Sequence, residues 1–182
     1  ARNEAIKKTK GAYISFLDTD DFWHKRKLSD QLKFLLKKKA DIIFSNYSIL
    51  NMTSKQKYLR NKRKLPSGNI TQSLLDDYVI GILTVLISRK IFLKNQFDKK
   101  FEIIGDFDFF LKTSLKYKIF SINKSLATYR YHKKNLSNIK IDLFTRELNN
   151  WFKVNKKEFI KNKFSKFKFN LLKLKFKKNL LY

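Results

Sequence analysis

Apolar and polar positions follow two spacings along the first 140 residues, and together they predict alternating strands and helices. Residues 3–10 predict a helix that ends at Gly11, where glycine accepts the left-handed conformation of a helix C-cap. The run AYISFL (12–17) has the length and apolarity of a buried strand. Residues 25–39 predict a second helix. Its apolar face is expected to carry Leu28, Leu32, Leu35 and Leu36.

The same alternation continues up to about residue 132. Strands are predicted at 41–50 (DIIFSNYSIL), 84–88 (TVLIS), 118–122 and 126–132, a helix at 106–117, and a polar, basic loop at 51–69. This order predicts an α/β fold, in which helices cover a sheet. Because ligands of such sheets collect at the carboxyl ends of strands, a site is expected directly after AYISFL.

Three aspartates follow that strand, in the stretch FLDTDDFW. The chain has only 15 acidic residues against 42 basic ones, yet Asp18, Asp20 and Asp21 lie within four positions. Carboxylates this close repel one another, so one of them binds a proton or a cation lies among them.

Four interpretations of the cluster compete. The first is an acidic surface loop that caps the helix beginning near Lys25. A calcium EF-hand is excluded by spacing, because Phe22 and Trp23 occupy a ligand position and the required glycine position. A phosphohydrolase of the haloacid dehalogenase type would use Asp18 as nucleophile, although Asp21 and Phe22 stand where that group has Gly and Thr. The fourth is a divalent ion that bridges the aspartates to a diphosphate.

Three separated blocks resemble family 2 glycosyltransferases of the GT-A fold. They are ARNEAIKKTKGAYISFLDTDDFWHKRKLSDQ, FDKKFEIIGDFDFFLKTSLKY and LATYRYHKKNLS, in the family's order. The resemblance implies a Rossmann-like mixed sheet flanked by helices, as in nucleotide-diphospho-sugar transferases. Residues 1–140 would form a partial GT-A domain whose first strands are missing, and residues 141–182 a basic amphipathic helical tail. A piece of this kind is expected to be inactive or prone to aggregation when isolated.

The resemblance also implies the residues that bind the donor. Asp18 and Asp20 would form the family's DxD motif, with Asp20 as a ligand of Mn²⁺ or Mg²⁺ and Asp18 nearer the ribose and diphosphate. Arg2 matches a position associated with nucleotide contact. His132 would bind the metal or the diphosphate, and Arg130 would offset diphosphate charge.

Asp106 matches the general base of inverting family members. An acceptor hydroxyl must lose its proton as it attacks the anomeric carbon, and a carboxylate can receive that proton. The common family pattern is Glu-Asp, whereas this chain has Gly105 before Asp106, so a supporting acid is absent. Asp108 is the alternative base, and a structural role for it is also expected.

Net charge adds an expectation about surfaces. The chain carries +27, contributed by 35 Lys and 7 Arg, and it has no cysteine. Because arginine is the residue preferred for base-edge contacts, no nucleic-acid partner is expected. In residues 151–182, which carry 11 Lys and one Glu, apolar residues recur on one helical face. They are Ile160, Phe164, Phe167, Leu171 and Leu174. This helix would either pack on the domain or lie on an anionic membrane.

The sequence therefore predicts a metal-assisted, inverting glycosyltransferase. Its partners would be a nucleotide-sugar donor, a glycan or lipid-linked acceptor, and an anionic membrane surface that residues 151–182 contact. It would act in the cytoplasm, at the inner face of the plasma membrane. The alternatives are the phosphohydrolase and a non-enzymatic basic module that binds anionic lipid or nucleic acid.

Overall fold

A six-stranded mixed sheet flanked by helices organises residues 2–164, the part of the chain that the computed structural model describes. The helices are α1 (Arg2–Lys8), α2 (Lys27–Lys38), α3 (Thr71–Asp76), α4 (Arg89–Lys94), α5 (Gly105–Ser114), α6 (Leu136–Ile139) and α7 (Ile141–Lys161). The strands are β1 (Tyr13–Ile14), β2 (Phe22–Trp23), β3 (Ile42–Asn51), β4 (Lys57–Leu59), β5 (Leu86–Ser88) and β6 (Ile119–Tyr131). The predicted α/β class is confirmed.

Strand direction fixes where a site can form. The sheet order is β1-β5-β3-β6-β2, with β4 paired to β3. Only β3 and β6 pair in parallel, and β5 runs antiparallel to both β1 and β3 among the described strands. Strands β1, β3 and β6 therefore point the same way, and their carboxyl ends share one edge of the sheet. Ligands bind at such edges in α/β proteins.

Several strand boundaries differ from the sequence prediction. The two strands expected at 118–122 and 126–132 form one strand, β6, whose pairing with β3 shifts register on either side of Asn46. The predicted strand at 12–17 is reduced to β1, because the chain leaves the ladder at Ser15, whose hydroxyl donates to the Val85 carbonyl. Strands β2 and β4 are too short to produce a recognisable hydrophobic period.

The buried face of α2 also differs from the prediction. Leu35 is buried, but Leu28, Leu32 and Leu36 are 46%, 38% and 59% exposed. Lys27 and Gln31 are fully buried instead. Both polar side chains donate hydrogen bonds to backbone carbonyls beneath the helix, and these bonds make their burial tolerable. Hydrophobic periodicity alone therefore placed the wrong stripe of this helix against the sheet.

Helix α7 packs on the domain within the described residues. Trp151 and Phe159 are fully buried in the main hydrophobic cluster, and Trp151 meets the Phe107 ring at a centroid distance of 4.8 Å. Phe164 packs against the same cluster, whereas Ile160 is exposed. Phe167, Leu171 and Leu174 lie outside the described residues, so the membrane-facing tail and the boundary at residue 140 stay predictions. Between residues 2 and 164, no helix has both the length and the apolarity needed to cross a bilayer.

Candidate active site

The acidic loop, residues 16–21, connects β1 to β2 at the shared edge of the sheet. It begins where β1 leaves the ladder and closes with a turn in which the Asp21 N–H donates to the Asp18 carbonyl at 3.1 Å. Asp18 is exposed, Asp20 is partly exposed and Asp21 is buried. The three carboxylates therefore have different environments although they lie within four positions.

Arg130, at the end of β6, holds the acidic loop in place. Its backbone N–H donates to Asp21 Oδ1 at 2.8 Å, and its Nε donates to the Asp20 carbonyl. Its guanidinium carbon also lies 5.4 Å from the centre of the Phe22 ring. Arg130 was predicted to offset diphosphate charge. Its hydrogen bonds show that it also holds the acidic loop against the end of β6.

Asp21 braces the loop from inside. Burial raises the pKa of its carboxyl to about 6, the hydrogen bond from the Arg130 N–H opposes this rise, and the neighbouring charges of Asp20 and Asp18 add to it. A buried carboxylate of this kind is better suited to fixing a backbone than to binding a ligand.

Asp20 and His132 face each other across the loop and the end of β6. Asp20 Oδ2 lies 3.0 Å from His132 Nε2, and both side chains are accessible. The His132 backbone N–H donates to Asn135 Oδ1 at 2.6 Å, which fixes the histidine at the mouth of the site. The two residues predicted to hold the metal are therefore brought together.

This donor pair fits a divalent ion that is shared with a ligand. A carboxylate and an imidazole suit Mn²⁺, whereas Mg²⁺ prefers oxygen ligands and keeps several waters. No group of three or more His, Asp or Glu side chains suited to a metal occurs within the described part of the chain. An ion bound to this pair would therefore take its remaining ligands from another molecule and from water.

Asp106 lies in the first turn of α5. Burial of its carboxyl raises its pKa, the Arg2 guanidinium on α1 lowers it, and the Asp18 carboxylate raises it. These electrostatic effects fall off with distance, so Arg2, Asp18 and Asp106 share one region. Arg2 and Asp18 are therefore near enough to Asp106 to influence the pKa of its carboxyl, and Asp20 lies in the same loop as Asp18.

Arg2 is held there by its neighbour. The Asn3 side-chain amide donates to the Phe97 carbonyl at 2.8 Å and accepts from the Phe97 N–H at 3.1 Å. The Arg2 guanidinium carbon lies 5.8 Å from the centre of the Phe97 ring. Asn3 therefore fixes the start of α1, and Arg2 lines an open cavity of about 700 Å³ together with Gly105, the residue before Asp106.

Glu147 on α7 positions the start of α5, and sequence reasoning missed it. Its carboxylate accepts backbone N–H bonds from Glu102 at 2.7 Å, Ile103 at 2.9 Å and Ile104 at 3.1 Å. A carboxylate at a helix N-terminus accepts hydrogen bonds from backbone N–H groups that would otherwise be unpaired. Its negative charge is also attracted to the positive end of the helix dipole. The sequence feature that could have identified Glu147 is a glutamate on the apolar side of α7, next to buried Leu148.

Asp108 has a structural role in this arrangement. It is 2% exposed, and its Oδ1 accepts from Trp151 Nε1 at 2.7 Å and pairs with Lys112 Nζ at 2.7 Å. These contacts connect α5 to α7. The side-chain partners of Asp108 are Trp151 and Lys112. Of the two carboxylates in the first turn of α5, Asp106 is therefore the better candidate to contact a ligand.

A second group of contacts fastens the base of the acidic loop. Trp23 Nε1, Gln31 Nε2 and Lys27 Nζ donate to three consecutive carbonyls, those of Leu83 at 2.9 Å, Thr84 at 2.7 Å and Val85 at 3.2 Å. Lys27 also donates to Ser15 Oγ at 2.8 Å and lies 4.3 Å from the centre of the Trp23 ring. Burial lowers the pKa of Lys27 to about 7.

Three tyrosines surround the carboxylates, and the sequence analysis did not identify them. Burial raises the pKa of each, and nearby carboxylates add to the effect: Asp106 for Tyr78, Asp106 and Asp21 for Tyr47, and Asp21 for Tyr129. The positive charge of Arg60 lowers the pKa of Tyr47. The three phenols are therefore close enough to the carboxylates to be affected by their charge.

Known proteins match this chain along most of its length. A family model described as "Glycosyltransferase like family 2" matches residues 1–166. The Escherichia coli protein WfgD, a UDP-Glc:alpha-D-GlcNAc-diphosphoundecaprenol beta-1,3-glucosyltransferase, is 33% identical over 131 residues, which are 72% of this chain and 49% of WfgD. The amylovoran biosynthesis glycosyltransferase AmsB of Erwinia amylovora is 31% identical over 136 residues, covering 71% of this chain and 45% of AmsB. The chain spans less than half the length of either relative.

Solved structures support the fold. Staphylococcus aureus TarS 1–349, in complex with UDP-GlcNAc, superposes with a TM-score of 0.56 at 17% identity, over 74% of this chain and 39% of TarS. The complex of TarS 1–349 with UDP gives a TM-score of 0.55 over 87% of this chain. The predicted fold, a mixed sheet of the type seen in TarS, is confirmed, and the predicted absence of its first strands stays a prediction.

Proposed function

Because the chain belongs to glycosyltransferase family 2, we propose that the protein transfers a sugar from a nucleotide-diphosphate donor to a glycan or lipid-linked acceptor. The observation that carries the proposal is the contact at 3.0 Å between Asp20 in the acidic loop and His132 after β6, beside Arg130, which fastens the loop. These groups would contact the donor, and Asp106 would supply the base.

The donor diphosphate would lie against Asp20 and His132. Their 3.0 Å contact supports this proposal, because a carboxylate and an imidazole could together share a divalent ion with phosphate oxygens. Mn²⁺ or Mg²⁺, when bound, would neutralise the charge that develops on the departing diphosphate. Asp18, exposed on the same loop, would contact the ribose, and Arg2 the nucleotide.

Asp106 would act as the general base of an inverting transfer. The acceptor hydroxyl oxygen attacks the anomeric carbon, the bond from that carbon to the diphosphate oxygen breaks, and the hydroxyl proton passes to Asp106. Burial favours this role because it raises the pKa of the carboxyl and so makes the carboxylate more basic, although Arg2 limits the rise. Glu147 supports the step by fixing the segment that precedes Asp106.

The acceptor and the location are proposed from the relatives and the charge. WfgD is named for an acceptor linked to undecaprenol diphosphate, and a lipid-linked acceptor of this class would lie at a membrane. The lysine-rich residues 151–182 would attract the anionic inner face of the plasma membrane. Family membership does not favour the phosphohydrolase or the non-enzymatic basic module.

The proposal is tested in the full-length protein with UDP-glucose as donor and a short-chain analogue of GlcNAc-diphospho-undecaprenol as acceptor. Asp106→Asn should lower kcat by roughly 10²–10⁴-fold, because the general base is lost. Its affinity for UDP, measured by calorimetry with Mn²⁺, should stay unchanged. Asp20→Asn should instead weaken metal-dependent UDP binding.

Asp41→Asn is a suitable control, because Asp41 precedes β3 at the edge of the sheet opposite the acidic loop, where it pairs with Lys90. It should leave both UDP binding and transfer unchanged. Unaltered transfer in Asp106→Asn would exclude Asp106 as the base. Metal-independent UDP binding that Asp20→Asn does not weaken would argue against the proposed donor site.

A further inference from the structure

A basic cavity opens beside the segment that follows β4. Its volume is about 510 Å³, within the range of roughly 300–1,000 Å³ that is typical of small-molecule sites. The carboxylates of Asp76 and Asp77, at the end of α3, contribute two negative charges to its lining. The four cationic side chains that line it are those of Arg60, Lys62, Arg63 and Lys64. Positive charges therefore outnumber negative ones by four to two, and a concave surface of this kind attracts anions.

The segment that carries these cations is fastened to the sheet at both ends. At its start, Asn46 Nδ2 on β3 donates to the Asn61 carbonyl at 2.7 Å. At its end, the Leu65 N–H donates to Asn123 Oδ1 on β6 at 2.8 Å, and the Leu65 side chain is buried in the main hydrophobic cluster. Residues 62–64 between these anchors are exposed. Their side chains are therefore accessible on a backbone that is held in place, which lowers the entropic cost of binding a ligand.

The segment after α3 connects the cavity to the proposed base. Val79 lines the cavity, and the ring of its neighbour Tyr78 packs against the Phe107 ring with centroids 5.0 Å apart. Phe107 directly follows Asp106 in the first turn of α5. A single ring-to-ring contact therefore joins the wall of the cavity to the turn that carries Asp106.

Tyr47 on β3 contacts both segments that line the cavity. The Arg60 N–H donates to the Tyr47 carbonyl at 2.9 Å. On the other side, a Cβ atom on Gly81 would lie 3.1 Å from Tyr47 Cε1, so the chain after Val79 packs closely on the Tyr47 ring. The two segments are therefore held against one residue of the sheet, and the Asp106 carboxylate is near enough to that residue to raise the pKa of its hydroxyl.

The two kinds of charged side chain indicate the chemistry of the ligand. Arginine and lysine donate to phosphate oxygens, whereas carboxylates accept hydrogen bonds from hydroxyl groups. A sugar linked to a diphosphate presents both kinds of group, while a neutral glycan offers the cations no charged partner. Asp20 and His132, which are proposed to hold the donor diphosphate, do not belong to the described residues that line this cavity. The acceptor is therefore the molecule that would bring phosphate to it.

We propose that this basic cavity binds the diphosphate group of a diphosphate-linked acceptor, so that the acceptor's sugar extends from the cavity towards Asp106. The substrate class is then an anionic acceptor rather than a neutral glycan. This inference rests on the proposed glycosyl transfer, and it assigns Lys62, Arg63 and Lys64 to acceptor binding.

The test uses the full-length protein with UDP and Mn²⁺ present to fill the proposed donor site. Calorimetry compares a short-chain analogue of GlcNAc-diphospho-undecaprenol with an alkyl GlcNAc glycoside that lacks the diphosphate, and the parent protein should bind the diphosphate analogue more tightly. Lys62→Gln/Lys64→Gln should weaken that binding roughly 3- to 30-fold, the effect of two lost contacts between accessible charges. It should leave the affinity for the glycoside and the melting temperature unchanged. Lys37→Gln/Lys38→Gln, which replaces two exposed lysines in the last turn of α2, is the matched control and should alter none of these quantities.

A loss of affinity confined to the diphosphate analogue supports the inference. Unchanged affinity of Lys62→Gln/Lys64→Gln for that analogue overturns it, and so does an equal loss of affinity for the glycoside. Weaker binding to phosphatidylglycerol vesicles with unchanged affinity for the analogue also overturns it, since the two lysines would then serve the membrane surface. Each of these contrary results leaves the proposed function standing if the parent protein transfers sugar. Absence of transfer by a parent protein that binds the analogue through Lys62 and Lys64 would instead contradict the proposed function and support the anion site.

Discussion

Lys27 is the residue at which charge and packing conflict most strongly. Its side chain is fully buried, its ammonium contacts two oxygens and an indole ring, and burial lowers its pKa from 10.5 to about 7. Between these two pH values the unfolded chain carries a proton at this position that the folded chain has lost. Stability contributed by Lys27 must therefore rise as the pH increases from 7 towards 10.

Replacing Lys27 with methionine should remove this dependence. We expect the parent protein to gain stability relative to Lys27→Met as the pH is raised from 7 to 10, by an amount on the order of a few kcal/mol. Urea unfolding across that pH range measures the difference. Lys33→Met changes an exposed lysine of the same helix, and its free energy of unfolding should depend on pH in the same way as that of the parent protein. Parallel curves for Lys27→Met would mean that Lys27 titrates normally in the folded state.

At the scale of elements, α7 holds the proposed base in position through Glu147. The Gln side chain in Glu147→Gln can accept fewer of the three N–H bonds and brings an amide donor towards them. We expect a loss of roughly 1–3 kcal/mol in the free energy of unfolding, together with a lower kcat and an unchanged affinity for UDP. Urea unfolding and UDP calorimetry measure these effects. Glu158→Gln, exposed on the same helix, is the control, and an equal loss there would refute the specific role of Glu147.

Local patterns predicted the elements better than their contacts. Helices α1, α2 and α5 and strand β3 follow from hydrophobic spacing, because each is long enough to show a period. The buried stripe of α2 was predicted wrongly, since the carbonyls that accept from Lys27 and Gln31 belong to a segment more than 50 residues away. Spacing along one helix contains no information about such partners.

The same limit separates the site residues that could be predicted from those that could not. Asp20 and His132 are 112 positions apart, and only the family resemblance suggested that they meet. Glu147 belongs to no motif in the three resembling blocks, and its role depends on backbone donors supplied by another segment. Residues of this kind become visible only when the folded arrangement is known.

At the scale of the whole molecule, the exposed leucines of α2 give a prediction about association. Leu28 and Leu32, with Tyr13, Trp23 and Leu86, line an open apolar cavity of about 380 Å³. It lies beside β1, which ends the described sheet on that side. Contiguous apolar surface next to a sheet edge favours self-association. The isolated chain should therefore associate in a concentration-dependent manner.

Polar replacement of two leucines should reverse this association. In Leu28→Gln/Leu32→Gln the apolar cavity loses its exposed wall while the buried contacts of Lys27, Gln31 and Leu35 remain, so the melting temperature should change little. Sedimentation velocity should then show a larger monomer fraction than the parent chain at equal concentration. Leu93→Gln, which is exposed on α4 outside the cavity, should leave the monomer fraction unchanged. If the parent chain is monomeric even at high concentration, this surface does not drive association. The net charge of +27 would then keep the molecules apart by mutual repulsion.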